Sequence, residues 1–84
     1  MMAGPVKRSV TIAGHATSIS LEQLFWTALA EAAEAESLPI NALVARIDAA
    51  RVAQPDPPNL ASAIRIWLFE RARGQSAVDN IAND

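Results

Sequence analysis

The stretch that decides the fold is Arg8-Ser-Val-Thr-Ile-Ala-Gly-His-Ala-Thr-Ser-Ile-Ser-Leu21. Its polar and apolar residues alternate, which is the pattern of a strand with one face in water. Gly14 interrupts the alternation and can adopt a positive φ, so two geometries fit: a hairpin that turns at Gly14, or one bulged strand. Because a lone two-stranded ribbon is marginally stable in water, we expect this stretch to pair with that of a second chain.

A helix is predicted directly after the ribbon. Ser20 and Gln23 match the capping-box pattern, and Ile19 and Leu24 occupy the two positions of a hydrophobic staple. The helix is predicted to end near Glu36. Its apolar stripe consists of Leu21, Phe25, Ala28, Leu29 and Ala32, widened by Trp26 and Ala30.

A second helix is predicted over about 39–52, with Pro39 in its first turn. Gln54-Pro-Asp-Pro-Pro58 then forms a rigid linker. The residues of this helix expected to face inward are Ile40, Leu43, Val44 and Ile47.

A third helix is predicted over about 60–73, capped by Asn59 and stopped by Gly74. Its segment 64–69 is apolar nearly all round, which predicts a helix sandwiched between other elements. Within it, Arg65 is expected to pair with an acid such as Asp48. We therefore divide the chain into a disordered N-terminus (1–6), one domain (7–73) and a flexible tail (74–84).

Composition favours a homodimer. A chain of 84 residues has a marginal core, and chains of this size usually need disulfides, a metal or a partner subunit. There is no cysteine and one histidine, His15, so we expect no disulfide, no metal site and no cofactor. A hydrophobic content of 51% suggests a core shared between chains.

Charge and hydropathy narrow the function classes. The net charge is −2, yet the start of the ribbon carries Lys7 and Arg8 and no acid.

No apolar run reaches the ~20 residues of a membrane span, and the first residues lack the apolar block of a signal peptide, so we expect a cytoplasmic protein. No catalytic set of side chains and no phosphate-binding glycine loop is present, so no catalytic residues are predicted and the protein is not expected to be an enzyme. His15 is interpreted as a turn residue.

Several segments together resemble a family of short bacterial ribbon-helix-helix proteins, over about residues 7–70. The matching segments are Arg8-Ser-Val-Thr-Ile-Ala-Gly-His15, Thr17-Ser-Ile-Ser-Leu-Glu22, Phe25-Trp26, Asn41-Ala-Leu-Val44, Ile47-Asp48, Asn59-Leu60 and Ser62-Ala-Ile-Arg65. The resemblance implies a mainly α protein with a short β-ribbon, an intertwined dimer in which each chain lends one strand, and here an additional third helix. Ala16, Pro39 and Ala61 depart from the residues we expect at those positions in this family.

The function implied by the resemblance is sequence-specific binding of double-stranded DNA, with the ribbon in the major groove and the protein acting as a transcriptional repressor or autoregulator. The DNA contacts carried over are Lys7, Arg8, Ser9, Thr11, His15, Thr17 and Ser18 in the ribbon, with Ile40 and Asn41 as a phosphate clamp at the start of the second helix. The predicted dimer interface is Val10, Ile12, Ile19, Leu21, Phe25, Trp67 and Phe69. The alternative is a protein–protein interaction dimer, antitoxin-like or an adaptor, with weak or no DNA binding.

Overall fold

A two-stranded ribbon is followed by three helices. The computed structural model describes residues 3–82, and side chains over 3–74. The elements are β1 (Val6–Ile12), β2 (His15–Leu21), α1 (Gln23–Ala35), α2 (Ile40–Val52) and α3 (Leu60–Ala82). The predicted fold class, mainly α with a short β-ribbon, is confirmed.

The ribbon is a hairpin formed within one chain. β1 and β2 pair antiparallel from Ile12 opposite His15 to Val6 opposite Leu21. The two turn residues, Ala13 and Gly14, have φ values of 51° and 81°, as a tight hairpin turn of type I′ requires. The hairpin is therefore the correct one of the two predicted geometries. The expectation that each chain lends one strand is wrong. The turn reverses the chain, so the backbone hydrogen-bonding groups of β1 pair with those of β2 in the same chain.

The ribbon begins earlier than predicted. Val6, assigned to the disordered N-terminus, is the first residue of β1. Its carbonyl oxygen accepts a hydrogen bond of 2.8 Å from Nε1 of Trp26, a buried residue of α1. Residues 3–5 have no regular structure, and residues 1–2 of the predicted disordered segment lie outside the described residues.

The predicted capping box and staple are both wrong. Ser20 is a strand residue, the N-cap of α1 is Glu22, and the Glu22 side chain makes no capping hydrogen bond. Leu24 is 66% exposed. Strand pairing continues through Leu21, so the helix starts later, and the staple positions become Leu21 and Trp26, which are both buried.

The second helix begins directly after Pro39 and ends at Val52, close to the prediction. The third helix does not stop at Gly74, as predicted, but continues to Ala82. A single glycine in a helix interior costs about 1 kcal/mol, which the strong helix formers before it, Glu70-Arg-Ala-Arg73, can offset. The last residues of the predicted tail, 83–84, lie outside the described residues.

The core lies between the inner face of the ribbon and the three helices. Its largest fully buried side chains are Leu21, Leu29, Leu43, Val44 and Ile64. The core also takes in Val10 and Ile19. Three residues predicted for the dimer interface (Val10, Ile19 and Leu21) are thus buried in the core of the single chain.

The third helix is not sandwiched within the single chain. Ala63, Ile64 and Leu68 are buried, whereas Ile66 is 50% and Phe69 is 62% exposed. An apolar side of α3 therefore faces solvent, because α1, α2 and the ribbon cover only part of its circumference.

Arg65 does pair with an acid, but the acid is not Asp48. Its Nη2 lies 2.9 Å from Oε1 of Glu22, at the start of α1. Asp48 instead pairs with Arg51, three residues further along α2, at 2.8 Å. Residues three apart on a helix are neighbours on its surface, so Arg51 is a nearer partner for Asp48 than Arg65 is.

Candidate nucleic-acid interface

The outer face of the ribbon is a continuous polar surface. Strand residues alternate in direction, and those pointing away from the core are small or charged. Hydroxyl groups can both donate and accept hydrogen bonds, so this surface can contact phosphates and base edges. The outer face consists of three exposed cross-strand pairs: Lys7 with Ser20, Ser9 with Ser18, and Thr11 with Ala16.

Three of the predicted DNA contacts lie on the other face. Arg8 is opposite Ile19. Its Nη2 donates to Oε1 of Gln23 at 3.2 Å, and its guanidinium lies 5.4 Å from the ring centroid of Trp26. Thr17 and His15 share this inner register, Thr17 half-buried and His15 exposed beside the turn. The structure therefore brings together Lys7, Ser9, Thr11 and Ser18, and separates them from Arg8, His15 and Thr17.

The start of α2 meets the free edge of β1. Oδ1 of Asn41 accepts a hydrogen bond of 3.3 Å from the backbone amide of Thr11. Ile40 is half-buried and Asn41 exposed. The first backbone amides of a helix have no partner within the helix, and the helix dipole places partial positive charge there. The predicted phosphate clamp is thus adjacent to the outer face, although Pro39 contributes no amide donor.

The start of α3 lies beside the edge of β2. Residues 17–20 and Asn59, Leu60 and Ala61 line a shared cleft of about 260 Å³. Oδ1 of Asn59 accepts a hydrogen bond of 2.8 Å from the amide of Ser62, as predicted for an N-cap. The ribbon is therefore flanked by the amino-terminal ends of two helices, one at each edge.

Charge on the outer face is limited to Lys7. Three arginines are neutralised by ion pairs: Arg46 with Glu36, Arg51 with Asp48 and Arg65 with Glu22. Over residues 3–74, Lys7 takes part in no ion pair, so its ammonium group is available to a phosphate.

The Glu22–Arg65 pair fixes the start of α1, immediately below the ribbon. A hydrogen bond from its own backbone amide, followed by the hydrogen bond from the Arg65 guanidinium, holds the pKa of Glu22 below the ordinary value of 4.5. Glu22 is therefore charged at neutral pH and committed to Arg65, which leaves Arg65 structural.

Two other kinds of site are not found in the described part of the chain. No three histidine, cysteine, aspartate or glutamate side chains come together as metal ligands would. None of the helices described here combines the length and the hydropathy needed to cross a bilayer.

Comparison with known families decides the classification. A family model of the ribbon-helix-helix domain matches residues 5–72, which is most of the chain. The protein belongs to the ribbon-helix-helix domain family. No curated protein and no solved structure matched the chain. Ribbon-helix-helix domains are commonly DNA-binding and regulatory, generally act as dimers, and are typically not enzymes.

Within this ribbon-helix-helix domain, Ser20 is an outer-face residue that the predicted DNA contacts leave out. It has the same strand parity as Ser18, so the alternation alone places it on the outer face. The competing match to a capping box assigned it to the helix instead. The position of the amino-terminal end of α3 beside β2 was also missed. No local sequence pattern relates Asn59 to a strand some forty residues earlier.

Proposed function

We propose that the protein is a cytoplasmic, homodimeric, sequence-specific DNA-binding protein, a transcriptional repressor or autoregulator that inserts the outer face of its ribbon into the major groove. One observation carries the proposal: the outer face is exposed, hydroxyl-rich and flanked at both edges by helix amino-termini.

The dimensions of the ribbon support groove insertion. Two seven-residue strands give a ribbon about 23 Å long and about 5 Å between strand axes, and a major groove about 12 Å wide admits a two-stranded ribbon. Ser9 and Ser18 form the central pair of the outer face, where base edges are nearest. Lys7 lies at one end, suited to the phosphate backbone.

The flanking helices supply the positioning contacts. Free amides at the start of α2 and α3 can hold phosphates on either side of the groove, as the predicted clamp at Ile40 and Asn41 requires. Because each chain holds a complete hairpin, a dimer carries two ribbons. Such a dimer reads two half-sites related by the two-fold axis, rather than one site through a shared ribbon.

The experiment measures binding to genomic DNA fragments over a salt series. The log of affinity should fall linearly with the log of salt concentration, with a slope of about 0.9 per phosphate contact. Lys7→Ala removes one contact per chain, so the slope should become shallower by about 1.8 for a dimer. Arg46→Ala is the matched control, since it removes an exposed arginine of α2 that is paired with Glu36, and should leave the slope unchanged.

A second comparison tests which face reads the bases. Ser18→Ala removes a hydroxyl from the outer face, whereas Thr17→Ala removes one from the next residue on the inner face. Discrimination between preferred and random fragments should fall by about five- to a hundredfold for Ser18→Ala, the range of a base contact, and hold for Thr17→Ala. If no fragment is preferred at any salt concentration, the proposed function is wrong.

The second candidate is the protein–protein interaction dimer, antitoxin-like or an adaptor. The exposed Phe69 and Ile66 of α3 favour it, as does an outer face with a single cation. Under this alternative, DNA affinity should be the same for Lys7→Ala and the native chain, because the ribbon would contact no phosphate.

A further inference from the structure

The outer face of the ribbon changes in chemistry from one end to the other. Lys7 lies at the end away from the turn, and the hydroxyl groups of Ser9 and Ser18 lie in the middle. At the turn end the exposed cross-strand pair is Thr11 opposite Ala16. Each of these two residues carries a methyl group, so this end of the outer face presents an apolar spot, which we call the methyl pair.

The methyl pair is held close together and in a fixed position. The backbone amide of Thr11 donates to Asn41 at 3.3 Å instead of to β2, so Thr11 and Ala16 form a non-hydrogen-bonded pair, in which facing side chains are closest. Threonine is β-branched and has few rotamers, and the alanine side chain has no rotamer freedom to lose. The methyl pair can therefore contact a ligand at little cost in side-chain entropy.

We propose that the methyl pair reads the C5-methyl group of a thymine in the major groove. This inference rests on the proposed function and names the base that one end of the outer face selects. Thymine presents an O4 acceptor and a methyl group in that groove, and methyl groups of alanine and threonine make the apolar contact that recognises it. Thr11 carries a hydroxyl donor and a methyl group on the same carbon, and so matches both features. Cytosine presents an amino donor and no methyl group.

The chemistry around the methyl pair disfavours guanine and adenine. Guanine is read most often by arginine or lysine, and the one cation on the outer face is Lys7, four residues or about 14 Å along β1 from Thr11. Adenine is read by asparagine or glutamine through both side-chain polar atoms, and the side-chain oxygen of Asn41 already accepts the Thr11 amide. The turn end of the ribbon is therefore suited to thymine.

The register of the ribbon sets the position of this thymine within the half-site. The pair Thr11–Ala16 is two residues, or about 7 Å, from the central pair Ser9–Ser18. Successive bases of one DNA strand are about 3.4 Å apart along the helix axis. The selected thymine should therefore lie about two base pairs from the base that Ser18 contacts, once in each half-site of a two-fold dimer.

Replacement of thymine by deoxyuridine tests the inference, because deoxyuridine keeps the O4 acceptor and lacks the methyl group. The probe is a duplex that the native full chain selects from a random library, resynthesised with one thymine of each half-site replaced at a time. At the position about two base pairs from the one where Ser18→Ala loses discrimination, the replacement should raise the dissociation constant about fourfold per half-site, the factor for burial of one methyl-sized group. At that position 5-methylcytosine, paired with guanine, should weaken binding less than cytosine does, because it restores the methyl group.

The double variant Thr11→Ser/Ala16→Gly removes both methyl groups and keeps the hydroxyl group. Its dissociation constants for the thymine and deoxyuridine duplexes should be equal, and the milder Thr11→Ser alone should reduce the difference between them. Thr27→Ser is the matched control, since it removes the same methyl group from an exposed threonine of α1, and should keep the fourfold difference. Circular dichroism spectra check that the variants fold.

The outcomes that would overturn the inference are distinct from the failure of the proposed function. A native chain that selects a site without thymine at this spacing, or that binds thymine and deoxyuridine duplexes equally, shows that the methyl pair reads no thymine and leaves the proposed DNA binding intact. A double variant that keeps the fourfold difference shows that another group contacts the methyl. A native chain that prefers no fragment removes both the thymine contact and the proposed function.

Discussion

The side-chain oxygen of Asn41 accepts a hydrogen bond from the backbone amide of Thr11 at 3.3 Å, and so joins the first turn of α2 to the outer edge of β1. The amide it satisfies would otherwise be an unpaired strand-edge donor, the kind of group that invites pairing with another chain. One residue thus links the candidate phosphate clamp to the candidate reading surface.

Substitutions at Asn41 separate these two roles. Asn41→Ala removes the acceptor and should lower the free energy of unfolding by about 0.5–1.5 kcal/mol, the net value of a typical hydrogen bond. Asn41→Asp keeps the acceptor and places a negative charge at a helix amino-terminus, where it is favourable, so stability should be native or slightly higher.

The DNA affinity of the two Asn41 variants should rank differently from their stability. Asn41→Asp should bind DNA at least about tenfold more weakly than the native chain, because a carboxylate would face the phosphate. Urea unfolding and fragment binding measure the two quantities. If Asn41→Asp binds DNA as tightly as the native chain, the start of α2 contacts no phosphate.

The fold was predictable where one local signal dominated. The alternation on either side of Gly14 located both strands, and Pro39 located the start of the second helix within one residue. Prediction failed where two local signals competed, as at Ser20, whose capping pattern is overridden by strand pairing through Leu21. It also failed at Gly74, where the low helix propensity of one glycine was taken as the end of a helix that continues through it.

The candidate site was predictable only in part, since strand parity and chemical type point to different residues. Parity selects Lys7, Ser9 and Thr11, and these do share the outer face. Chemical type also suggested Arg8 and Thr17, but their parity turns them inward, and Arg8 packs over Trp26. Contacts that join distant segments, such as Thr11 with Asn41, leave no trace in local sequence.

The hairpin turn should respond to backbone substitutions with opposite signs. Ala13 holds a φ of 51°, which is unfavourable for alanine and tolerated by asparagine, the residue preferred before glycine in this turn. Ala13→Asn should therefore stabilise the chain by about 0.5–1 kcal/mol. Gly14→Ala should destabilise it by about 1 kcal/mol or more, through backbone strain alone, because a Cβ at Gly14 would meet nothing within 4 Å.

The comparison for the turn is Gly74→Ala, within α3. A Cβ there also meets open space, and alanine is the better helix former, so this change should raise stability by about 1 kcal/mol. Urea unfolding followed by circular dichroism measures all three variants. A Gly14→Ala chain as stable as the native one would mean that residues 13–14 do not form the tight turn.

The ion pair between Glu22 and Arg65 should make stability depend on pH in the acid range. The folded state holds the pKa of Glu22 below its ordinary value of 4.5, so the unfolded chain takes up the proton first as the pH falls. The contribution of the pair is therefore fully present above the unfolded pKa and is lost as the pH drops through the folded one.

Glu22→Gln should lower stability at neutral pH and flatten the decline between about pH 5 and about pH 3. Glu34→Gln, which changes an exposed α1 carboxylate outside the three ion pairs of the described residues, should keep the native profile. Urea midpoints measured at several pH values distinguish the two variants, and a Glu22→Gln profile that parallels the native one would show that the pair does not stabilise the start of α1.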